Sequence, residues 1–91
     1  MAASYRFVVV GQVQGVFFRQ STVERARALA LAGWVRNRED GAVEGIASGE
    51  PSALAQLRAW LGHGPATARV ERVEWSEGAD EPVGSGFIIR Q

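Results

Sequence analysis

The sequence predicts an α+β sandwich in which two helices pack on one face of a four-stranded antiparallel sheet. Two segments rich in helix-forming residues, at about residues 18–32 and 51–61, each carry an apolar stripe. Runs of β-branched and aromatic residues, which favour strands, lie around and between them. The dipeptide Asp40-Gly41 separates two of these runs, and such a dipeptide is the strongest short-range signal of a hairpin.

The composition fits one soluble domain over residues 1–91 and excludes several kinds of function. Of the 91 residues, 46% are hydrophobic and 22% are charged, as in ordinary globular domains. The absence of cysteine excludes disulfides, thiolate metal sites and a cysteine nucleophile, and a single histidine excludes a multi-histidine metal site. A formal charge of zero argues against bulk binding to nucleic acid or to an anionic membrane.

The distribution of apolar residues predicts a location in the cytoplasm. The longest apolar run, residues 28–35, is far too short to span a bilayer. Residues 1–10 lack the layout of a signal peptide, because their apolar patch is short and no cleavage site follows it. We therefore expect a cytoplasmic protein, and we take a monomer as the default state.

The first strand, loop and helix follow from the residue types in order. The aromatic and β-branched residues at positions 5–10 predict a strand, and two glycines, Gly11 and Gly15, interrupt it. Helix formers then run to about residue 32, and Gly33 is a natural C-terminal stop. Ser21 and the glutamate three residues later fit a capping box, which places the helix start near Ser21 or one turn earlier.

The central hairpin consists of two predicted strands, residues 34–39 and 42–48. A two-residue type I′ turn at the Asp-Gly dipeptide would place Asn37 opposite Glu44. Because facing residues of a pair share a side of the sheet, that register predicts that Asn37 and Glu44 lie on one face.

The second half of the chain completes the element order. A proline at the favoured first position opens the second helix at residues 50–51, and Gly62 ends it. Residues 68–75 alternate imperfectly and carry many charges, which predicts an edge strand. A loop at residues 77–85 and a short strand at residues 87–90 follow. The order β-α-β-β-α-β is that of the ferredoxin-like sandwich.

The segment between the first strand and the first helix has the features of a phosphoryl-binding site. Gly11 and Gly15 allow successive backbone amides to converge on an anion, and the helix N-terminus adds unpaired amides and a positive dipole end. Arg19 adds a guanidinium fork that matches phosphate geometry. On spacing alone, a plain strand-to-helix turn with Arg19 in solvent is slightly favoured over such a site. No Walker A sequence is present.

The one asparagine of the chain, Asn37, is the second candidate for chemistry. It lies within a predicted strand, where asparagine is disfavoured, although a polar residue facing solvent near a turn is the alternative. His63 stands between two glycines after a helix, which predicts an exposed turn residue and not a catalyst. Phe17 lies either beside a substrate or in the core, and the sequence does not decide between the two.

Across essentially its whole length the chain resembles the acylphosphatase family, through two motifs that together are highly specific. The first, Gly-x-Val-Gln-Gly-Val-x-Phe/Tyr-Arg, matches Gly11, Val13, Gln14, Gly15, Val16, Phe18 and Arg19. The second, Gly-Trp-Val-x-Asn-x-x-Asp-Gly-x-Val-Glu, matches Gly33, Trp34, Val35, Asn37, Asp40, Gly41, Val43 and Glu44. One departure is Ala30, where the family often has glycine; it concerns the end of the first helix and not the site.

The resemblance implies an enzyme that hydrolyses acyl phosphates to a carboxylate and inorganic phosphate without a metal or cofactor. Arg19 corresponds to the phosphate-binding arginine of the family and Asn37 to its water-positioning asparagine. We expect inorganic phosphate or sulfate to compete with the substrate. The phosphate cradle of the family corresponds to the backbone of Gln14, Gly15, Val16, Phe17, Phe18 and Arg19.

The chemistry of acyl phosphates is compatible with these roles. The leaving group is a carboxylate with an ordinary pKa of roughly 4, so it needs no general acid. Phosphoryl transfer depends on positioning and on stabilising charge, which Arg19 and backbone amides can supply. A carboxamide is not a base near neutral pH, so Asn37 would orient the attacking water by hydrogen bonding.

The alternative function is a non-catalytic binding module on the same fold, either an RNA-recognition domain or a small-molecule sensor domain. An RNA-recognition domain needs exposed aromatic and basic residues on its central strands. Residues 43–48 contain no aromatic residue, which argues against RNA binding.

Overall fold

In the computed structural model of the protein, residues 3–78 and 84–90 are described, and they form two helices and five strands. Neither helix of this described part has the length and apolarity needed to span a lipid bilayer. In chain order the elements are β1 (Ala3–Gln12), α1 (Phe18–Ala28), β2 (Ala32–Asn37), β3 (Val43–Gly49), α2 (Pro51–Leu61), β4 (Arg69–Glu77) and β5 (Phe87–Ile89).

The strands form one sheet in the order β4-β1-β3-β2-β5. The pairs β1–β3, β1–β4 and β2–β3 are antiparallel, as the ferredoxin-like prediction requires, and β4 lies at an edge as expected. The short strand predicted at residues 87–90 is present as β5, but it adds to β2 in parallel at the other edge, so the sheet has five strands and not the predicted four antiparallel ones. The predicted loop at residues 77–85 lies largely outside the described residues.

Both helices pack on the same face of the sheet. One cluster of buried apolar residues joins alternate residues of the strands, such as Phe7 and Val35, to residues of α1 and α2, such as Ala26 and Leu57. The alternation arises because successive side chains of a strand point to opposite faces. The two helices and the sheet therefore form the two predicted layers, and neither described helix lies on the other face of the sheet.

The hairpin between β2 and β3 has a register one residue away from the predicted one. Arg36 pairs with Glu44, and Asn37 pairs with Val43. Because a shift of one residue exchanges the faces of a strand, Asn37 and Glu44 lie on opposite sides of the sheet. The prediction that they face each other is wrong.

The shift in register comes from a three-residue loop in place of the predicted two-residue turn. The loop consists of residues 39–41, because the Arg38 amide donates to the Ala42 carbonyl at 2.8 Å. Within this hairpin end, the Gly41 amide donates to the Arg38 carbonyl at 3.3 Å. Gly41 has φ 95°, as in the bulge that commonly follows such a turn. Asp40 accepts a hydrogen bond from the Ala42 amide at 3.1 Å, so its role in turn chemistry is as predicted.

Helix α1 ends earlier than the predicted stop at Gly33, which lies within β2. The Leu31 amide donates to the Ala26 carbonyl at 2.9 Å, and the Ala30 amide donates to the Arg27 carbonyl at 3.0 Å. These two bonds form a Schellman motif, whose residue in the left-handed conformation is usually glycine. Here it is Ala30, with φ 58°.

Candidate active site

The N-terminus of α1 is open to an anion. The first helical hydrogen bond runs from the Ser21 amide to the Phe17 carbonyl at 2.9 Å, so the amides of residues 18–20 precede it. The predicted capping box at Ser21 is therefore wrong, since Ser21 lies inside the helix and no side chain caps the start at Phe17. The helix begins one turn before Ser21, which is the other start that the sequence allowed. The first turn also carries no acidic residue. Unpaired amides and the positive end of the helix dipole are thus available to an anion.

The loop before α1 has the backbone geometry of an anion cradle. Gly15 has φ 74° and Phe17 has φ 62°, both in the left-handed region. Left-handed residues in such a loop turn successive amides toward one point. For a residue with a side chain this conformation costs on the order of 1–3 kcal/mol, and such strain is commonly found at functional sites. Nothing about a phenylalanine in the sequence indicates this conformation at position 17.

Arg19 lies in the first turn of α1 and is half-buried. Within the described residues its guanidinium forms no ion pair and no hydrogen bond, whereas the other two half-buried arginines, Arg36 and Arg38, both pair with carboxylates. The cation is therefore available to a ligand. It borders a pocket of about 320 Å³ lined by Val13, Gly15, Phe17, Phe18, Arg19, Gln20 and Ile89.

Asn37 is the last residue of β2 and lies at the same end of the strands as the cradle loop. Val43 on β3 is the register partner of Val9 on β1 and of Asn37 on β2, so the C-terminal ends of β1 and β2 lie at the same end of the sheet, on either side of β3. The Asn37 side chain is half-buried, and its Oδ1 is fully buried without a hydrogen-bond partner. Such an atom needs a donor, because leaving a buried acceptor unpaired costs about 1–3 kcal/mol.

Arg19 and Asn37 border separate hollows of the surface. The hollow beside Asn37 has a volume of about 720 Å³ and follows the hairpin. No residue lines both hollows. The lining of the second hollow consists of Arg36, Asn37, Arg38, Glu39, Asp40 and Glu44.

The side chain of Gln14 connects the cradle loop to the hairpin next to Asn37. Its Nε2 donates to the carbonyl oxygens of Arg38 at 2.8 Å and of Ala42 at 3.0 Å. The loop is thereby attached directly to the residue that follows Asn37. Sequence reasoning assigned a role only to the backbone of Gln14, because nothing in the sequence indicates which carbonyls its amide group would meet.

A second attachment of the loop comes from the connection between α2 and β4. The Thr67 hydroxyl donates to the Val16 carbonyl at 2.8 Å. Phe18 is fully buried beside Trp60, and a Cβ atom added at Gly64 would lie 2.5 Å from the Phe18 ring. Phe18 is therefore the anchor of the loop in the core. The contacts join residues 42 to 51 positions apart, so no local pattern in the sequence predicts them.

The other candidates take no part in this arrangement. Glu44 is buried at 8% exposure and pairs with Arg36 at 2.6 Å on the face of the sheet opposite Asn37. His63 is exposed in the turn after α2, as predicted. Phe17 is 76% exposed, which decides between its two predicted locations in favour of the surface beside the cradle. Among residues 3–78 and 84–90, no three His, Asp or Glu side chains are grouped as a metal site would require.

The open face of the sheet lacks the features of an RNA-recognition surface. The aromatic residue of β2, Trp34, is buried at 6% exposure, with the guanidinium groups of Arg36 and Arg90 at 5.3 Å and 4.5 Å from its ring centroid. Base stacking needs an accessible aromatic ring. This ring is covered by the protein's own cations.

Comparison with known proteins identifies the family. The acylphosphatase family model matches residues 5–89. An acylphosphatase of Rubrobacter xylanophilus is 49% identical over 85 residues, which cover 93% of this chain and 77% of that protein. An acylphosphatase of Pasteurella multocida is 47% identical over 85 residues, which cover 93% and 94% of the two chains.

Solved structures agree with the sequence relatives. The acylphosphatase structure from Coxiella burnetii superposes with a TM-score of 0.91 at 42% identity, over 98% of this chain and 93% of that one. The crystal structure of acylphosphatase from Bacillus subtilis superposes with a TM-score of 0.92 at 35% identity over the whole of both chains. With the motifs, the fold and the cradle in agreement, the chain belongs to the acylphosphatase family.

Proposed function

We propose that acyl phosphates, which the protein hydrolyses as a member of this family, bind with their phosphoryl group in the pocket beside Arg19. One observation carries the proposal: a half-buried guanidinium without a partner among the described residues stands in the first turn of a helix whose N-terminus is uncapped. A dianionic phosphoryl group satisfies both the guanidinium and the free amides. Neither a neutral ligand nor a cation would do so.

The cradle holds the phosphoryl oxygens through the backbone from Gln14 to Arg19. The left-handed residues Gly15 and Phe17 aim amides at the anion, and the amides of residues 18–20 add the helix end. Arg19 donates through its planar fork, which matches two phosphoryl oxygens at once. These donors stabilise the charge on the equatorial oxygens as the bond to the leaving group lengthens.

Asn37 orients the water that attacks phosphorus. Its half-buried carboxamide borders the hollow at the hairpin and can hydrogen-bond to that water. The hairpin position of Asn37, next to the carbonyl that Gln14 holds, keeps the water site at a fixed distance from the cradle. Because a carboxamide takes up no proton near neutral pH, the water's proton passes to a phosphoryl oxygen of the substrate.

The leaving group needs no assistance from an acid. Attack of water at phosphorus breaks the bond between phosphorus and the bridging oxygen, and that oxygen leaves as part of a carboxylate. A carboxylic acid has a pKa of roughly 4, so the product is stable as an anion at neutral pH. The protein therefore needs only to position the water and to stabilise the charge on the phosphoryl group.

The decisive experiment is an assay of benzoyl phosphate hydrolysis in EDTA with the wild type and with Arg19→Gln and Arg19→Lys. We expect metal-free turnover by the wild type and loss of both turnover and phosphate binding in Arg19→Gln. Arg19→Lys keeps the charge but loses the fork, so severe impairment is expected there too. Arg69→Gln is the matched control, because Arg69 is exposed on the edge strand β4. Wild-type turnover no faster than spontaneous hydrolysis contradicts the proposal, as does full activity of Arg19→Gln.

Three further properties belong to the same proposal. Inorganic phosphate or sulfate competes with the substrate, because either anion fits the cradle. The competing anion should also raise the melting temperature of the protein, since it binds only the folded state. The protein acts as a cytoplasmic monomer, which light scattering of the purified chain and localisation of a tagged chain would test.

A further inference from the structure

The pocket beside Arg19 contains an unusual share of the exposed apolar surface. Among the described residues, three large hydrophobic side chains are exposed: Phe17 at 76%, Ile88 at 55% and Ile89 at 38%. Two of the three, Phe17 and Ile89, line this pocket. A phosphoryl group is charged and is not stabilised by apolar contacts, so these two side chains suit a different, apolar part of a ligand.

Phe17 is not needed by the core. The neighbouring Phe18 is fully buried and holds the loop against Trp60. The left-handed conformation at Phe17 would be met at lower cost by glycine. A large ring nevertheless stands there in solvent, beside the cradle, where it adds no stability to the fold.

Ile89 reaches the pocket from the edge strand β5. Phe87, two residues earlier, is fully buried next to Gly33, so alternation places Ile89 on the same face as Phe87. That face is the one that carries α1, whose first turn holds Arg19. Ile88 lies on the other face of the same strand and lines no part of this pocket.

We propose that Phe17 and Ile89, which together we call the apolar wall, bind the acyl group of the substrate and select aromatic or bulky aliphatic acyl phosphates over acetyl phosphate. The proposal rests on the phosphoryl site proposed above. A single bridging oxygen joins the acyl carbon to phosphorus, so an acyl group must lie directly beside the cradle. The pocket volume of about 320 Å³ is at the lower end of small-molecule sites, which suits a phosphoryl group with one ring attached.

The wall acts on binding and leaves the chemical step unchanged. The bond that breaks joins phosphorus to oxygen, and the hydrocarbon part of the acyl group keeps its structure during the reaction. Contacts to that part are equally strong in the ground state and the transition state, so they lower KM without raising kcat. A preference of this kind should therefore appear mainly in KM.

The test compares kcat/KM for benzoyl phosphate with kcat/KM for acetyl phosphate. The variants are Phe17→Asn, since asparagine tolerates the left-handed conformation, and Ile89→Ala. The matched control is Ile88→Ala, which removes a more exposed isoleucine from the other face of the same strand. We expect the wild type to prefer benzoyl phosphate and the ratio to fall on the order of tenfold in each wall variant, mainly through KM, with no change in the control.

Three results would overturn the proposal: equal kcat/KM of the wild type for both substrates, equal losses on both substrates in the wall variants, or a fall in the ratio in Ile88→Ala. Absence of wild-type turnover on either substrate would instead count against the proposed function. In that case calorimetric binding of phenylphosphonate and methylphosphonate still tests the wall. Tighter binding of phenylphosphonate that Phe17→Asn abolishes supports the wall, and equal affinities overturn it.

Discussion

The left-handed Ala30 at the end of α1 predicts that glycine there stabilises the protein. Ala30 has φ 58° and is exposed, so its methyl group makes no buried contact that the substitution would remove. The two Schellman hydrogen bonds, from the amides of Ala30 and Leu31, involve only the backbone and remain available to glycine. Ala30→Gly therefore relieves backbone strain and keeps the local hydrogen bonds.

The expected gain follows from two opposing terms. Left-handed geometry costs an L-residue roughly 1–2 kcal/mol. Glycine also gives the unfolded chain more conformational freedom, which lowers the stability by about 0.4–1 kcal/mol. At the midpoints of these two ranges, the net gain in the free energy of unfolding is about 0.8 kcal/mol. For a domain of this size that corresponds to a rise in melting temperature of about 3–6 °C.

Thermal and urea unfolding followed by circular dichroism measure this gain, with Ala28→Gly as the matched control. Ala28 is exposed, is the last residue of α1 and has ordinary helical geometry. Glycine there should lower the stability by about 0.5–1 kcal/mol. If Ala30→Gly is as destabilising as Ala28→Gly, the assignment of backbone strain to Ala30 is refuted.

Two further predictions concern the site. Asn37→Ala should lower kcat on the order of 10²-fold and leave the competitive inhibition constant of phosphate nearly unchanged, since the residue is proposed to hold water and not the anion. Steady-state kinetics with phosphate as inhibitor measure both constants. A raised inhibition constant with an unchanged kcat would show instead that Asn37 binds the phosphoryl group. Thr67→Val should raise that inhibition constant roughly fivefold, because the hydrogen bond that holds the Val16 carbonyl is worth about 1 kcal/mol, and Thr67→Ser should restore it. Equal weakening in Thr67→Ser would assign the effect to packing.

Local patterns in the sequence were sufficient for the element order and for the position of β4 at the edge of the sheet. They were insufficient where two conformations differ by a single residue. The Asp-Gly dipeptide is compatible with a two-residue turn and with a three-residue loop that has glycine in its last position. The aspartate's hydrogen bond to the Ala42 amide and the positive φ of Gly41 accompany the longer loop. The pairing of Asn37 with Glu44 was therefore wrong although the hairpin was right.

The same limit applies to the first helix. Its composition predicts a helix in this region, but the serine at position 21 suggested a cap that the structure does not use. The helix begins at Phe18 because burial of that ring beside Trp60 holds the first turn in place. Tertiary packing here prevails over a local capping signal, as it commonly does with weak local preferences.

The two ends of the proposed substrate differ in how far the sequence can predict their binding. The groups proposed for the phosphoryl end, Arg19 and the amides around it, lie within seven consecutive residues, 14–20, so one motif is enough to indicate an anion site. The wall proposed for the acyl end combines Phe17 with Ile89, which are brought together only by the parallel addition of β5 to β2. Parallel pairing of distant segments leaves no periodic signal in either segment. Relatives that share the phosphoryl motif but differ at the end of β5 should therefore catalyse the same reaction with different preferences for the acyl group.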